Sequence, residues 1–415
     1  MNTNQRADFD LCVIGGGING AGIARDAAGR GLSTLLIEAG DLAGATSSAS
    51  TKLIHGGLRY LEYYDFRLVR ESLQERERLL KIAPHIIRPL KFILPHEEHL
   101  RPAWMIRAGL FLYDHLGGRR SLKRSRSVRF NVDGPLQNRF TQGFSYSDCW
   151  VEDARLVVLN ALDAVERGAQ VMTRTRCTGL RVDGEVWRVS MQDGQGRVFE
   201  KTARMVVNAA GPWVRRVLDD NKLVHADTPQ VRLVRGSHIV VPRLYEGPQA
   251  YILQQQDRRI VFAIPYEQNY TLIGTTEAEH TDDPSRPQIS DAETDYLCAA
   301  INGYFKKQIK REDIVWTYSG VRPLLDDGSD SATATTRDYR LVLDREHGPL
   351  LLSVFGGKIT TYRHLAEEAV NQLTTDKPWT ARVILPGGDL PHGDFAFFVR
   401  AMGERWPFIP ENMLV

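Results

Sequence analysis

The sequence predicts an α/β protein in which a parallel-sheet domain, assembled from separated pieces of chain, is interleaved with a second, mostly antiparallel β domain. Three observations predict it. A short apolar run from Asp10 to Ile14 stops at three glycines, and Ile18 to Arg30 then carries apolar residues at helical spacing. The same order of strand, glycine turn and helix returns late in the chain, where Leu350 to Phe355 precedes Gly356-Gly357-Lys358 and a helical pattern through Leu373. Between them, residues 231–320 hold the β-rich runs Gly236 to Val241, Ile260 to Ile264 and Tyr270 to Ile273, spaced as in an antiparallel sheet.

The elements follow in order. Thr34 to Ile37 is a second β-prone run ending in Glu38, so the first 38 residues read as one strand, helix, strand unit of a parallel sheet. A strongly charged helical pattern runs from Asp65 to about Ile82, with Leu68, Leu73, Leu79 and Leu80 on its apolar side, and Pro84 and Pro89 close it. Residues 85–135 are rich in Pro, Arg and aromatics; they do not continue the sheet pattern and are assigned to the second domain. Ala154 to Arg167 reads as a helix, followed by strands near Gln170 to Thr175 and Glu185 to Met191 and a turn over Gln192 to Gly196. Val206 to Pro212 is an apolar strand that ends in small residues, where the chain returns to the first domain. The expected division is 1–84, 150–228 and 335–380 for the first domain, with 85–149 and 229–334 for the second.

Composition narrows the function classes. A chain of 415 residues with 42% hydrophobic and 25% charged residues is long enough to bury two or three cores, which excludes a disulfide-stapled or disordered protein. Basic and acidic residues number 53 and 51, so no chain-wide field exists to hold nucleic acid, and no nucleic-acid partner is expected. Cys12, Cys149, Cys177 and Cys298 are scattered without a CxxC pair, which suggests neither a zinc site nor a disulfide framework and fits a reducing cytoplasm. The polar start lacks the features of a secretory signal. The most apolar stretch, Trp104 to Leu112, is broken by Arg107 and is far shorter than the roughly 20 residues that cross a bilayer.

Gly15-Gly16-Gly17-Ile18-Asn19-Gly20 fits G-x-G-x-x-G between a strand and a helix. In that setting Gly15 permits the tight turn, Gly17 lets the backbone approach a pyrophosphate, Gly20 lets the helix pack on the sheet, and the helix N-terminus faces the phosphate charge. Glu38, eighteen residues past Gly20, is placed to accept hydrogen bonds from an adenosine ribose. The unit reads as a Rossmann-like, dinucleotide-binding domain. The hydroxyls of Thr46, Ser47, Ser48 and Ser50 follow directly and favour FAD over NAD by lining a second stretch of a long cofactor; a Ser-rich surface loop is the competing reading. Asn208 to Pro212, with Ala210 and Gly211, and Phe355 to Lys358 add two more places where backbone can approach the same extended ligand.

Several longer strings carry a resemblance. They are Val13 to Gly20, Ala45 to Tyr60 (ATSSASTKLIHGGLRY), Arg101 to Arg107 (RPAWMIR), Gly236 to Val241 (GSHIVV), Trp316 to Leu324 (WTYSGVRPL), Thr336 to Tyr339, and Ser353 to Arg363 (SVFGGKITTYR). On these the chain resembles the aerobic, respiratory glycerol-3-phosphate dehydrogenases, over nearly 400 residues. The resemblance implies the flavin-binding fold of glutathione reductase and D-amino acid oxidase type, FAD, oxidation of sn-glycerol 3-phosphate to dihydroxyacetone phosphate, and electron transfer to a membrane quinone at the cytoplasmic face. The family carries a helical C-terminal cap, of which residues 381–415 would be the start. A homodimer is among the assemblies the family resemblance allows.

The resemblance also assigns roles. Lys52, Leu53, His55, Gly57 and Thr360 join Ile18, Asn19, Gly356, Gly357 and Lys358 along the cofactor. Arg59 and Tyr60 sit beside the flavin, with Arg59 pairing the substrate phosphate, and Arg337 and Lys358 are further substrate-binding positions. His238 and Arg322 are the catalytic pair, an imidazole to accept the C2 hydroxyl proton and a cation to steady the developing alkoxide as hydride leaves for flavin N5. Which group takes the proton stays open. By residue type alone each arginine is as well explained by a surface ion pair, and His238, in an apolar run, by a hydrogen-bonded core position.

Six basic residues, Arg119, Arg120, Lys123, Arg124, Arg126 and Arg129, lie between Asp114 and Asp133 just after the aromatic stretch from Trp104 to Tyr113. They suit an anionic membrane surface, the alternative being a solvated loop. Three rival functions share these residues: an oxidase that hands electrons to oxygen, an amino acid oxidase of the same fold, and a non-catalytic flavin-binding remnant.

Overall fold

The computed structural model describes residues 7–97, 101–118, 121–257, 259–326 and 338–414. The chain opens with strand β1 (Phe9–Ile14), helix α1 (Ile18–Gly29) and strand β2 (Thr34–Ile37). Continuous apolar runs make both strands core strands buried on both faces, as parallel sheets require. A two-residue strand β3 (Leu53–Ile54) precedes α2 (Phe66–Ile82), whose first turn is capped by the Asp65 carboxylate accepting from the Leu68 amide. Then come β4 (Ile87–His96), α3 (Ala103–Leu116), β5 (Arg126–Arg129), β6 (Gln142–Val151), α4 (Asp153–Glu166), β7 (Gln170–Met172), β8 (Thr175–Asp183), β9 (Val186–Asp193), β10 (Val198–Asn208) and α5 (Val214–Asp220). The chain continues through β11 (Val231–Pro242), β12 (Ala250–Gln254), β13 (Ile260–Tyr266), β14 (Tyr270–Gly274), β15 (Ala278–Glu279), α6 (Asp291–Asn302), β16 (Trp316–Leu325), β17 (Arg340–Asp344), β18 (Leu351–Phe355), α7 (Tyr362–Asn371), α8 (Phe395–Arg405) and α9 (Glu411–Leu414).

Among the described residues these strands form two sheets. The first runs β17-β18-β10-β1-β2-β7, with the β8–β9 hairpin continuing from β10; β18, β10, β1, β2 and β7 are mutually parallel. The second runs β15-β11-β14-β13-β12-β4-β6-β3, with β16 also on β11 and β5 on β6, and it is antiparallel except where β12 meets β4. The α/β architecture with an interleaved antiparallel sheet is the one expected.

Two expectations change in detail. Residues 85–135, read as lacking sheet pattern, contain the ten-residue strand β4, which pairs along its whole length with β6. Pro89 and Pro95 hide it, yet β4 meets β12 only at Phe92 and Ile93, so the prolines flank that pairing and no ladder bond to β12 is lost. Residues 53–54, expected with the first domain, pair into the second sheet.

Helix α1 packs between α4 and α7 through Ala21, Ile23, Ala24 and Ala27, all without exposed surface. Small side chains allow that close approach. Buried ion pairs bolt the layer: Arg25 on Asp163 at 2.5 Å, and Arg363 on both oxygens of Glu75 at 2.7 Å, which ties α7 to α2. The two ends of the glycine junctions are thereby held against one rigid helical layer.

Candidate functional site

A cavity of about 680 Å³ opens along the junction of the two sheets. The first sheet, with the turns and helices that follow its strands, contributes Gly15, Gly17, Ile18, Asn19, Glu38, Ala210, Gly211, Gly356, Gly357, Lys358 and Thr360 to its wall, and the second sheet contributes Phe92, Tyr146, Phe262, Thr275 and Arg322. Thr46, Ser47, Ser50, Leu53, His55, Gly57 and Tyr60 line it from the segment that leaves the first sheet after β2 and enters the second at β3.

The glycine turn works as its spacing predicts. Gly15 has φ +109°, and a side chain there would meet the Ala209 carbonyl at 2.5 Å. At Gly20 a Cβ would stand 1.8 Å from the Gly15 carbonyl oxygen, so only glycine lets α1 begin this close to β1. The parallel register of Ile14 with Ile37 sets Glu38 beside the turn, where its two carboxylate oxygens accept from the Gly16 and Gly40 amides, each at 2.7 Å. Each oxygen keeps a second lone pair for a ribose hydroxyl. The Ile18 amide, at the N-terminus of α1, donates to Ser47 Oγ at 2.9 Å, and Asn19 Nδ2 donates to the Gly356 carbonyl at 3.1 Å, which joins the first glycine turn to the late one. Asn19 Oδ1 is buried with no partner among the described residues. The turn leaves backbone open beside a helix N-terminus with a carboxylate next to it, and these residues fit FAD.

Cationic groups face the same cavity. Arg322, on β16, donates through Nη2 to Thr275 Oγ1 at 3.0 Å. Its register partner on β11 is Val234, and two residues further along that strand Gly236 leaves room for the guanidinium, since a Cβ there would be 2.5 Å from that nitrogen. The Lys358 ammonium is buried, has no hydrogen-bond partner among the described residues, and lies 4.0 Å from the centroid of the Tyr60 ring. A buried cation in this state is poised for an anion. Arg59 lies in the helical turn Leu58–Tyr63, its side chain outside the described atoms, and Arg337 lies outside the described residues.

His238 departs from the simplest expectation. It is 0% exposed, is stacked on Tyr318 with ring centroids 4.7 Å apart, and does not line the cavity. Burial, reinforced by Arg322 and Lys52, holds its pKa well below the ordinary 6.5, so the imidazole is neutral. What reaches the wall is Thr51, whose Oγ1 is 3.0 Å from His238 Nε2. Gly20, Ser48 and Lys52 are also off the wall. Gly20 is spent on packing, Ser48 Oγ donates to the Ala45 carbonyl, and the Lys52 ammonium pairs with Asp153 at 2.6 Å instead of reaching a cofactor.

The sequence reading missed the aromatic wall of Phe92, Tyr146 and Phe262, and Asp148. Asp148 accepts from Arg76 at 2.7 Å and from the Tyr113 hydroxyl at 2.8 Å, and that hydroxyl in turn accepts from the Gly56 amide at 2.8 Å. The His55 to Gly57 turn is thus pinned to the second sheet. The one signal available was the alternation of Phe144, Tyr146 and Asp148 through an otherwise unassigned stretch.

The chain matches the FAD dependent oxidoreductase family over residues 10–363. It is 55% identical over 412 residues to the aerobic glycerol-3-phosphate dehydrogenase of Escherichia coli K12, covering 97% of this chain and 82% of that one. It is 49% identical over 416 residues to the D-erythritol 1-phosphate dehydrogenase of Brucella abortus, covering 98% and 82%. The crystal structure of the Bacillus halodurans glycerol-3-phosphate dehydrogenase complexed with FAD superposes with a TM-score of 0.76 at 28% identity, covering 99% of this chain and 74% of that one.

Proposed function

The chain belongs to the FAD dependent oxidoreductase family, and from that membership we propose that it oxidises sn-glycerol 3-phosphate to dihydroxyacetone phosphate. The observation that carries this reading is the buried Lys358 ammonium, without a hydrogen-bond partner among the described residues, on the wall that also holds the glycine turns. A cavity that combines a dinucleotide cradle with a desolvated cation suits a small phosphorylated alcohol better than an amino acid, whose carboxylate and amine need groups of both signs.

Bound FAD supplies the two-electron acceptor. Lys358 binds the phosphate, joined in this proposal by Arg59 and Arg337, and Tyr60 orients the ammonium through its ring face. Arg322, fixed by Thr275, faces the C2 oxygen and stabilises negative charge as its proton leaves. His238 takes that proton through Thr51: the Thr51 hydroxyl proton passes to Nε2 as the substrate proton arrives on Oγ1. The contact of Thr51 Oγ1 with Nε2 supports this role; the same burial and neighbouring cations that keep the imidazole neutral also make it a weak base.

Anaerobic addition of glycerol 3-phosphate to the yellow protein tests the reading by loss of flavin absorbance. D-Erythritol 1-phosphate is the second reading, favoured by the 49% identical relative, and is tested in the same cuvette. Bleaching by neither compound overturns both.

The electron acceptor in this proposal is membrane quinone, with the protein peripheral on the cytoplasmic face. Among the described residues no helix is long and apolar enough to cross a membrane. Helix α3 turns Trp104 and Phe111 outward, 70% and 56% exposed, and Lys123, Arg124, Arg126 and Arg129 are exposed beside it; Arg119 and Arg120 lie outside the described residues. Flotation on anionic vesicles, lost when the basic residues become Gln, checks this part.

A further inference from the structure

We propose that His225, Asp344 and His347 form a binding site for a divalent transition cation of the zinc class, remote from the cavity. The two imidazoles come from different segments, His225 from the stretch between α5 and β11 and His347 from the turn between β17 and β18. Both reach one atom. Asp344 Oδ2 is 3.1 Å from His225 Nε2 and 2.8 Å from His347 Nδ1, and the three ligand atoms lie within 4.8 Å of one another.

The spacing is close to what coordination demands. Zinc bound at about 2.0–2.2 Å in tetrahedral geometry separates neighbouring ligand atoms by roughly 3.3 Å, so the two His–Asp separations need to open by only a few tenths of an ångström, while the two ring nitrogens, within 4.8 Å of each other, draw together around the ion. The supporting contacts are also those of a metal site. Asp344 Oδ1 accepts from the backbone amides of Glu346 at 2.8 Å and His347 at 3.3 Å, which fixes the carboxylate with Oδ2 toward the imidazoles. Glu346 Oε2 lies 3.4 Å from His225 Nδ1, which places a second carboxylate beside the ring nitrogen that does not face Asp344. Two imidazoles and one carboxylate select a zinc-class ion over the all-oxygen sites of calcium or magnesium, and water completes the coordination.

The site is separate from the oxidoreductase chemistry. None of the three residues lines the cavity. In the β17–β18 hairpin, Arg340 pairs with Phe355 beside the late glycine turn, whereas Asp344 pairs with Leu351 at the other end, about 13 Å away at 3.3 Å per residue. A bound ion there clips residue 225 to the hairpin that carries Gly356 to Lys358, and so stabilises the scaffold of the cradle.

The test is a calorimetric titration of the intact flavoprotein with zinc chloride after dialysis against a chelator, paired with zinc analysis after gel filtration. The expected result is one equivalent retained by the native chain and lost in H225Q/H347Q, with E346Q binding about 10–100-fold more weakly because only the supporting carboxylate is gone. Flavin content and circular dichroism of each variant are compared with the native protein; if the double variant does not fold, H347Q, in a turn, replaces it. A native chain that retains no zinc, or a folded variant that retains as much as the native chain, overturns the proposal. Flavin reduction by substrate is not a readout, so this result stands or falls apart from the proposed activity.

Discussion

Lys358→Met removes the buried ammonium while keeping the length and apolar stem of the side chain. Among the described residues that ammonium has no hydrogen-bond partner, and the Tyr60 ring, 4.0 Å away, offsets part of its lost hydration. The ring returns about 0.5–2 kcal/mol, while desolvating an ion costs several kcal/mol. Methionine therefore stabilises the protein in the absence of substrate, by about 1 kcal/mol, read as a rise of one to three degrees in the thermal midpoint. With substrate bound the balance reverses. A charge-assisted hydrogen bond to phosphate contributes roughly 1.5–3 kcal/mol, so the variant's KM rises about 10- to 150-fold. Differential scanning fluorimetry without substrate and steady-state kinetics with a dye acceptor measure the two effects. A lower thermal midpoint together with an unchanged KM refutes the reasoning, because it identifies Lys358 as a structural residue.

Three further outcomes follow from the same geometry. Gly20→Ala puts a Cβ 1.8 Å from the Gly15 carbonyl, which forces α1 to retreat by more than about 1 Å from β1; flavin is expected to be lost on gel filtration, seen as a fall in the ratio of flavin to protein absorbance. Glu75→Gln removes one of the paired hydrogen bonds to Arg363 and leaves Glu367 as the remaining carboxylate on that buried guanidinium, at a cost of about 1.5–3 kcal/mol measured by urea unfolding. Glu293, under the Thr275 strand end, is pushed up by burial, but hydrogen bonds from Thr276, Arg235 and Ser290 outweigh this and bring its pKa from 4.5 to about 2. A depressed carboxylate stabilises the fold above its unfolded pKa and loses that contribution as pH falls, so about 3 kcal/mol disappears between roughly pH 5 and pH 2. Glu293→Gln flattens the acid limb of the unfolding profile, and an unchanged limb refutes the assignment.

Much of the site was legible because its chemistry is local. The Gly15 to Gly20 spacing, the continuous apolar run of β1 and the acid at the end of β2 are properties of neighbouring residues, and the backbone geometry they require shows in the sequence. Strands β4 and β6 were not legible. Their residues are buried on both faces over long stretches, which erases period-two alternation, and two prolines disguise β4. With them went the aromatic wall of Phe92 and Tyr146, and Asp148.

The amino-acid order by itself determined the alternation of strand, glycine turn and helix, the FAD cradle, the family and the reservoir of cations near it. Tertiary structure alone decided what those residues face. The register of β11 between β14 and β16 turns the His238 ring onto Tyr318 and leaves Thr51 at the wall, and no local pattern encodes which side of a strand meets a cavity built from other segments. The same holds for Lys52, captured by Asp153 from 101 positions away, and for His225, brought to Asp344 on the edge strand of the first sheet. Contacts of that kind are set by packing between distant segments, and so by the fold as a whole.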